Sequence, residues 1–282
     1  MEECRENQKS ILEEKHMDFK LIFNKLEEMS NYRVHLAKQA GATKPIDVLA
    51  RSKEEWKNWQ MHKGKRNRFP VDYIISFAQI NGDRFLFGGV FKVINRTKES
   101  YEVQLLEDYE DLIGRVVLEY RGTSKRNTVF KLENIFQKLR IIEIYAKKYS
   151  GEPFKSLDDI DHSYSSLKTI FDNKLEDWEI ILKNSRGIYL LVDEKTGKQY
   201  VGKANGENGF WGRWSDYINT LHGGNTQLIE LVKNEGEEYF KNNFKFTILE
   251  VVGSYITETE IDQKESKWKK KLFTRKHGYN SN

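Results

Sequence analysis

A single cysteine, Cys4, stands in a chain of 282 residues, which excludes an intramolecular disulfide and any zinc site built from cysteines. Proline is nearly as scarce, with three residues, so long unstructured linkers are not expected. No apolar run approaches the roughly 20 residues that a membrane span needs. The opening MEECRENQKS is acidic and polar and holds no apolar signal core. A dominant charge of one sign is also lacking, the formal net charge being +4. These absences predict a soluble, cytoplasmic chain with no membrane partner and no overall basicity.

Aromatic residues, by contrast, make up 13% of the chain, more than a disordered protein carries. The length suffices for one large domain or two ordinary ones. The basic residues gather in three places: KGKRNR at 63–68, RGTSKRNTVFK at 121–131 and KWKKKLFTRK at 267–276. Each cluster reads equally as a solvated face or as a phosphate-contacting surface, because phosphate contacts need local positive potential rather than net charge.

Residues 11–29 carry Leu12, Phe19, Ile22, Leu26 and Met29 near heptad spacing, which predicts an N-terminal helix packed on its own domain or, alternatively, a short dimer contact. From Tyr73 to Ala146 the pattern changes to short strands separated by turn signals, as in a small barrel or sandwich. Gly88 and Gly89 inside one strand run predict a bulge or a close backbone approach. The stretch Tyr149 to Pro153 reads as a domain boundary. Two helical stretches follow, from Ser163 to Leu175 and from Asp177 to Leu182.

The segment GIYLLVDEKTGKQYVGKA, residues 187–204, is a hairpin with a tyrosine beside a glycine on each strand. Strand alternation puts Gly187, Tyr189 and Leu191 on one face and Tyr200 with Gly202 on one face of the partner, so a pairing that brings the two tyrosines to one side makes them cross-strand neighbours. Such a pair either covers a core or, with glycines leaving room, faces a ligand backbone. Next, Trp211, Trp214, Ile218 and Leu221 form an amphipathic helical stripe, with Arg213 and Tyr217 one turn apart on an adjacent face. A last helix begins at the capping box Thr257–Glu260 and buries Ile261, Trp268 and Leu272. Glu265 lies on that apolar stripe and needs a cation, a metal or several donors; a structural ion pair with Arg213 is one solution. Lys267, Lys269, Lys270 and Lys271 line the outer face.

In this order the elements resemble the GIY-YIG nuclease family. The hairpin matches its two name-giving motifs with Val201 in the middle of the second, Arg213 matches the arginine of the first helix, Glu265 the metal-binding glutamate, and Asn280 in HGYN the terminal asparagine. Tyr217 stands where many members carry histidine, a variant shared with some restriction-type members. The resemblance covers residues 187–282 and implies an α+β chain: a nuclease α/β-sandwich, with a small antiparallel sheet flanked by helices, behind a strand-rich, barrel-like domain. The expected division is an N-terminal helix at 1–30, a DNA-recognition domain at 31–150, a helical linker at 151–186 and the nuclease domain at 187–282.

The resemblance further implies metal-dependent phosphodiester hydrolysis, with Tyr189, Tyr200, Arg213, Tyr217, Glu265 and Asn280 as the catalytic set. Glu265, an oxygen ligand, suits one Mg²⁺ or Mn²⁺ ion per active site, held mainly by water and the substrate phosphate. Arg213 is expected to clamp the phosphate. Tyr189 is expected to take or relay the proton of the attacking water, its pKa lowered by Arg213, Lys203 or the metal, while Tyr200 or Tyr217 orients water and phosphate.

Double-stranded DNA is the expected partner. Lys203, Lys267, Lys270, Arg121, Lys125 and Arg126 are the expected DNA contacts. Trp56, Trp59, Tyr73, Phe77 and Phe87 are either core residues or a stacking surface for a flipped or modified base. The strand pattern weakly resembles the barrel-like PUA or EVE group. A duplex cut needs two active sites, hence a homodimer at least transiently on DNA. A restriction-type endonuclease is the leading reading; a repair or structure-specific nicking nuclease and a catalytically dead nucleic-acid-binding protein are the alternatives.

Overall fold

A computed structural model describes residues 17–26, 28–64, 67–122 and 127–281. The chain divides into two compact units, one of residues 1–38 and 56–149, the other of residues 39–55 and 150–282. Sheets and helices occur in both. Among the described residues no helix is long and apolar enough to cross a membrane.

In the first unit β1 (Met17–Asp18), β2 (Tyr32–Ala37), β3 (Tyr73–Asn81), β4 (Arg84–Arg96), β6 (Val116–Tyr120), β7 (Val129–Lys131) and β8 (Leu139–Ile144) form a sheet in the order β1-β8-β6-β4-β3-β2-β7, with β5 (Tyr101–Leu105) beside β4. The sheet curls. Four strand steps separate β6 from β7, about 19 Å in a flat sheet, yet the rings of Tyr120 and Phe130 on these strands are 5.2 Å apart. Gly88 is a bulge: Ser76 pairs with Gly89 and Phe77 with Phe87, leaving Gly88 over. A β-carbon on Gly88 would lie 2.4 Å from the Trp56 indole nitrogen, which donates to the Gly88 carbonyl at 2.8 Å. Bulge and close approach are thus one feature. Trp56, Phe77 and Phe87 are core residues, which removes them from the expected stacking surface; Trp59 and Tyr73 are half-buried.

The expected helix over 11–29 does not form in its described part. Met17–Asp18 is a strand, and only Phe19–Ile22 is helical. The apolar spacing has another cause: Phe19 and Phe23 stack at 4.4 Å, and Phe23 reaches Phe87 at 4.9 Å. Cys4 and Leu12 lie outside the described residues.

The second unit is built on an antiparallel sheet of order β11-β10-β12-β9, with β9 (Asp161–Ser163), β10 (Arg186–Asp193), β11 (Gln199–Ala204) and β12 (Phe244–Val252). Its helices are α1 (Pro45–Arg51), α2 (Tyr164–Asp172), α3 (Glu176–Lys183), α4 (Gly209–Thr220), α5 (Thr226–Glu235), α6 (Glu237–Asn243), α7 (Glu258–Lys271) and α8 (Thr274–His277). Alternation along β10 sorts the core. Tyr189 and Leu191 join Trp214, Tyr217 and Phe246 on one face, and Ile188, Leu190 and Val201 join Ile261, Trp268 and Leu272 of α7 on the other. The capping box of Thr257 and Glu260 starts α7, worth on the order of 1 kcal/mol. The stretch 151–186, expected as a linker, is part of this core instead: β9 extends the sheet, and Leu167, Ile170, Trp178 and Leu182 are buried in it. The helix α1 also packs here, Arg51 donating to Thr169 at 3.0 Å.

Candidate active site

The hairpin pairs Tyr189 with Gly202 and Leu191 with Tyr200, so both tyrosines share a face, with ring centres 6.3 Å apart. The glycines have a reason other than the expected one. A β-carbon on Gly202 would lie 2.3 Å from the Tyr189 hydroxyl, and one on Gly187 would lie 2.0 Å from the Glu250 carbonyl oxygen. The space beside them holds the protein's own ring and backbone, not room for a ligand strand.

Arg213 reaches this face from α4. Its Nε donates to Tyr189 Oη at 2.8 Å, Nη2 to Tyr217 Oη at 3.2 Å and Nη1 to the Gly223 carbonyl at 2.8 Å. The guanidinium also lies over the Tyr217 ring, 5.0 Å from its centre. The fork is therefore held rigidly: the second N–H of Nη1 donates to Asp216 Oδ2 at 3.4 Å, and one N–H is left on Nη2. Tyr189 and Tyr217 are fully buried, and their hydroxyl oxygens are 3.1 Å apart. One phenolic proton closes that bond, and the other is available to a further acceptor.

Burial pushes the Tyr189 phenol up, and neighbouring Tyr200 pushes it further; Arg213 acts in the opposite sense without cancelling them. Tyr217 is likewise raised, chiefly by burial and then by Tyr189 and Tyr200. The expected lowering of Tyr189 by Arg213 thus loses to desolvation. Lys203 does not help, because it pairs with Glu258 at 3.2 Å and with Asp262. In this state both phenols are neutral hydrogen-bonding groups.

Glu265 sits on α7, which packs on the opposite face of the sheet from Arg213. Its partner is Lys269, one turn on, at 3.2 Å, with side-chain exposures of 16% and 9%. The Glu265–Arg213 ion pair is not formed. Lys269 also leaves the expected outer row of lysines, since it is buried against this carboxylate. Because β11 is an edge strand, the two sides of the site lie on either side of that edge. Among the described residues no group of three or more His, Cys, Asp or Glu side chains converges as a metal cage. One carboxylate fits only an ion carried mainly by water and a substrate phosphate, and Glu265, the expected ligand, is held by Lys269.

Asn280 has both ends of its amide engaged: Oδ1 accepts from the Val201 N–H and Nδ2 donates to the Val201 carbonyl, each at 2.9 Å. It clamps the edge strand beside Tyr200 and does not point a polar group outward. Lys267 and Lys270 are exposed on α7. Arg121 is exposed in the first unit and bonds Glu119 at 2.9 Å. Lys125 and Arg126 lie outside the described residues. The two basic segments of the first unit do meet: Lys63 and Arg68 of one and Thr128 and Lys131 of the other line a single cavity of about 620 Å³.

Two contributors escape a motif reading. Gly223 holds Arg213 through its carbonyl, and a β-carbon there would strike the Tyr217 ring at 2.7 Å; its backbone is left-handed, with φ +52°. The adjacent glycines in HGGN, residues 222–225, are the signal that marks it. Lys269 is hidden among lysines that the sequence presents as alike.

No protein-family model and no curated protein matches the chain. Two solved structures are similar to part of it. One is the catalytic domain of the intron endonuclease I-TevI in a mutant form, 25% identical, covering 35% of this chain and 94% of that domain, with a TM-score of 0.29. Another is the catalytic domain of the homing endonuclease I-TevI, 27% identical, covering 34% of this chain and 98% of that one, with a TM-score of 0.28.

Proposed function

We propose that this chain is a DNA endonuclease that hydrolyses phosphodiester bonds with Mg²⁺ or Mn²⁺, of restriction type, its first unit selecting the target. One observation carries the reading: two buried phenols and a backbone carbonyl, from separate segments, fix the guanidinium of Arg213. The bracing fixes the direction in which the guanidinium presents its remaining donors. A fixed fork with one N–H left on Nη2, and one on Nη1 held only by a 3.4 Å bond to the exposed Asp216, suits two oxygens of a phosphate that displaces Asp216.

In this reading the phosphate meets the remaining Nη2 N–H of Arg213 and displaces Asp216 from Nη1, and the guanidinium neutralises charge developing on its oxygens. The phenol proton left over from the Tyr189–Tyr217 pair is donated to a phosphate oxygen or to the attacking water. Tyr189 becomes a proton relay only when substrate changes its surroundings, because burial keeps it neutral beforehand. Tyr200, half-buried at the edge, orients the water, and Asn280 positions Tyr200 by clamping Val201. Glu265 holds the divalent ion, which when bound stabilises the leaving oxygen. Lys267 and Lys270 contact the flanking DNA backbone. A duplex cut pairs two copies on DNA.

The test is conversion of supercoiled plasmid, unmodified and carrying methylated or hydroxymethylated cytosine, with Mg²⁺. Double-strand breaks that vanish with chelator and in Glu265→Gln are expected. Nicks confined to branched or damaged DNA contradict the restriction-type assignment, and no cleavage of any DNA contradicts the enzyme.

A further inference from the structure

Beside the basic cavity of the first unit lies a second, smaller one. Its volume is about 290 Å³, at the lower edge of the roughly 300–1,000 Å³ of small-molecule sites. Phe85, Tyr120 and Phe130 line it, together with the polar side chains of Gln79, Asp83 and Asn127. It forms where the curled sheet brings β6 and β7 together. Gly122 is required there, because a β-carbon would lie 2.3 Å from the Tyr120 ring. Asn127 and Phe130 line both cavities.

Aromatic rings with a few polar groups, next to a cavity lined by Arg33, Lys63, Arg68 and Lys131, make a definite chemical pairing. A flat heteroaromatic ring fits the first and an attached phosphate the second. Arg68 is braced for that role, since its Nη2 donates to Thr128 Oγ1 at 2.6 Å. We propose that the first unit takes a single unstacked DNA nucleobase into the Phe85–Tyr120–Phe130 pocket, with the adjoining phosphates over Lys63, Arg68 and Lys131. The base stacks on the half-buried Phe130 ring, Phe85 and Tyr120 being buried core residues of the pocket wall, and its hydrogen-bonding edge meets Gln79, Asp83 and Asn127. A cavity of this size holds one base. The proposal rests on the reading that the first unit selects DNA, and it is independent of the cleavage chemistry.

The test is binding by the full chain in chelator, where cleavage does not enter. Fluorescence anisotropy compares a labelled duplex with one mismatched pair, the same duplex with an abasic position there, and the corresponding single strands. The wild type is expected to prefer the base-containing DNA about tenfold or more, in line with one stacked base. Phe130→Ala and the milder Asn127→Ala are expected to shrink that preference, and Phe130→Trp to restore it. Lys131→Ala is expected to weaken all the DNAs alike and to lower the salt slope by about one. A preference seen with the duplex pair identifies a base extruded from the helix; one confined to single strands identifies an already unpaired base. Equal binding of base-containing and abasic DNA by the wild type overturns the proposal. So does a preference that survives in both Phe130→Ala and Asn127→Ala. Base-selective binding without cleavage under any condition sinks the nuclease reading alone.

Discussion

The hydroxyl of Tyr189 lies 2.3 Å from where a β-carbon of Gly202 would be. The ring crosses the partner strand at the one residue that lets it pass and so reaches Arg213 at 2.8 Å. Gly202→Ala must therefore push the phenol away from the guanidinium. Overpacking of this kind costs about 1–3 kcal/mol, and cleavage is expected to fall at least tenfold. Thermal unfolding and plasmid cleavage measured on the same preparation check this; wild-type values for both contradict it.

Lys269 neutralises Glu265 from within the protein, at 3.2 Å. In the proposed reading, metal and lysine compete for one carboxylate. Lys269→Met is expected to lower the Mg²⁺ concentration for half-maximal cleavage severalfold, with some loss of stability from leaving a half-buried charge unpaired. A Mg²⁺ titration of the cleavage rate decides; an unchanged or higher requirement means that Glu265 does not hold the ion.

Tyrosines 189 and 217 have raised pKa values in the folded chain, chiefly through burial. The unfolded chain loses these protons near pH ~10, while the folded chain keeps them. Their contribution to stability is intact below that pH and disappears as pH rises through the folded values. Urea unfolding of the wild type is expected to weaken steeply above pH ~10. Tyr217→Phe is expected to flatten that decline, and an equally steep curve in the variant argues against burial as the cause.

His35 titrates in the other direction. Burial lowers its pKa from 6.5 to about 4, the bond to Gln60 opposing this. The Gln60 oxygen accepts from Nδ1 at 2.7 Å. The folded state favours the neutral ring, so its contribution is full above pH 6.5 and is lost as pH falls to about 4. The difference is worth up to about 3 kcal/mol. The melting temperature of the first unit is expected to drop across that window, and less so in His35→Phe.

Much of this site was legible in order along the chain, because strand alternation and helical spacing fix which side chains share a face. Tyr189 and Tyr200 share a strand face and Arg213 and Tyr217 a helix face as spacing implies, while the meeting of the two faces is expected from the family resemblance. The strand run from Tyr73 to Ala146 is legible from its turn signals, while the curl shows only in contacts such as Tyr120 with Phe130. What spacing does not show is which group wins a contest for space or charge. The glycines of the hairpin look like ligand clearance and are filled by Tyr189 and the Glu250 carbonyl. Asn280 looks like a reactive terminus and is a clamp on Val201. Lys203 looks like a DNA contact and is engaged by Glu258 and Asp262. The stretch 151–186, expected as a helical linker after the boundary at Tyr149–Pro153, is anchored in the core by Trp178 and Leu182. Such outcomes depend on long-range contacts that no local pattern records.

The most direct measurement is the single-turnover cleavage rate of Arg213→Ala, with folding verified by circular dichroism and with guanidinium ion added back. Loss of a phosphate-stabilising donor set predicts a fall of about 10²–10³, partly reversed by millimolar guanidinium. A variant that cuts at nearly the wild-type rate contradicts the central claim that this half-buried, phenol-braced arginine is what receives the phosphate.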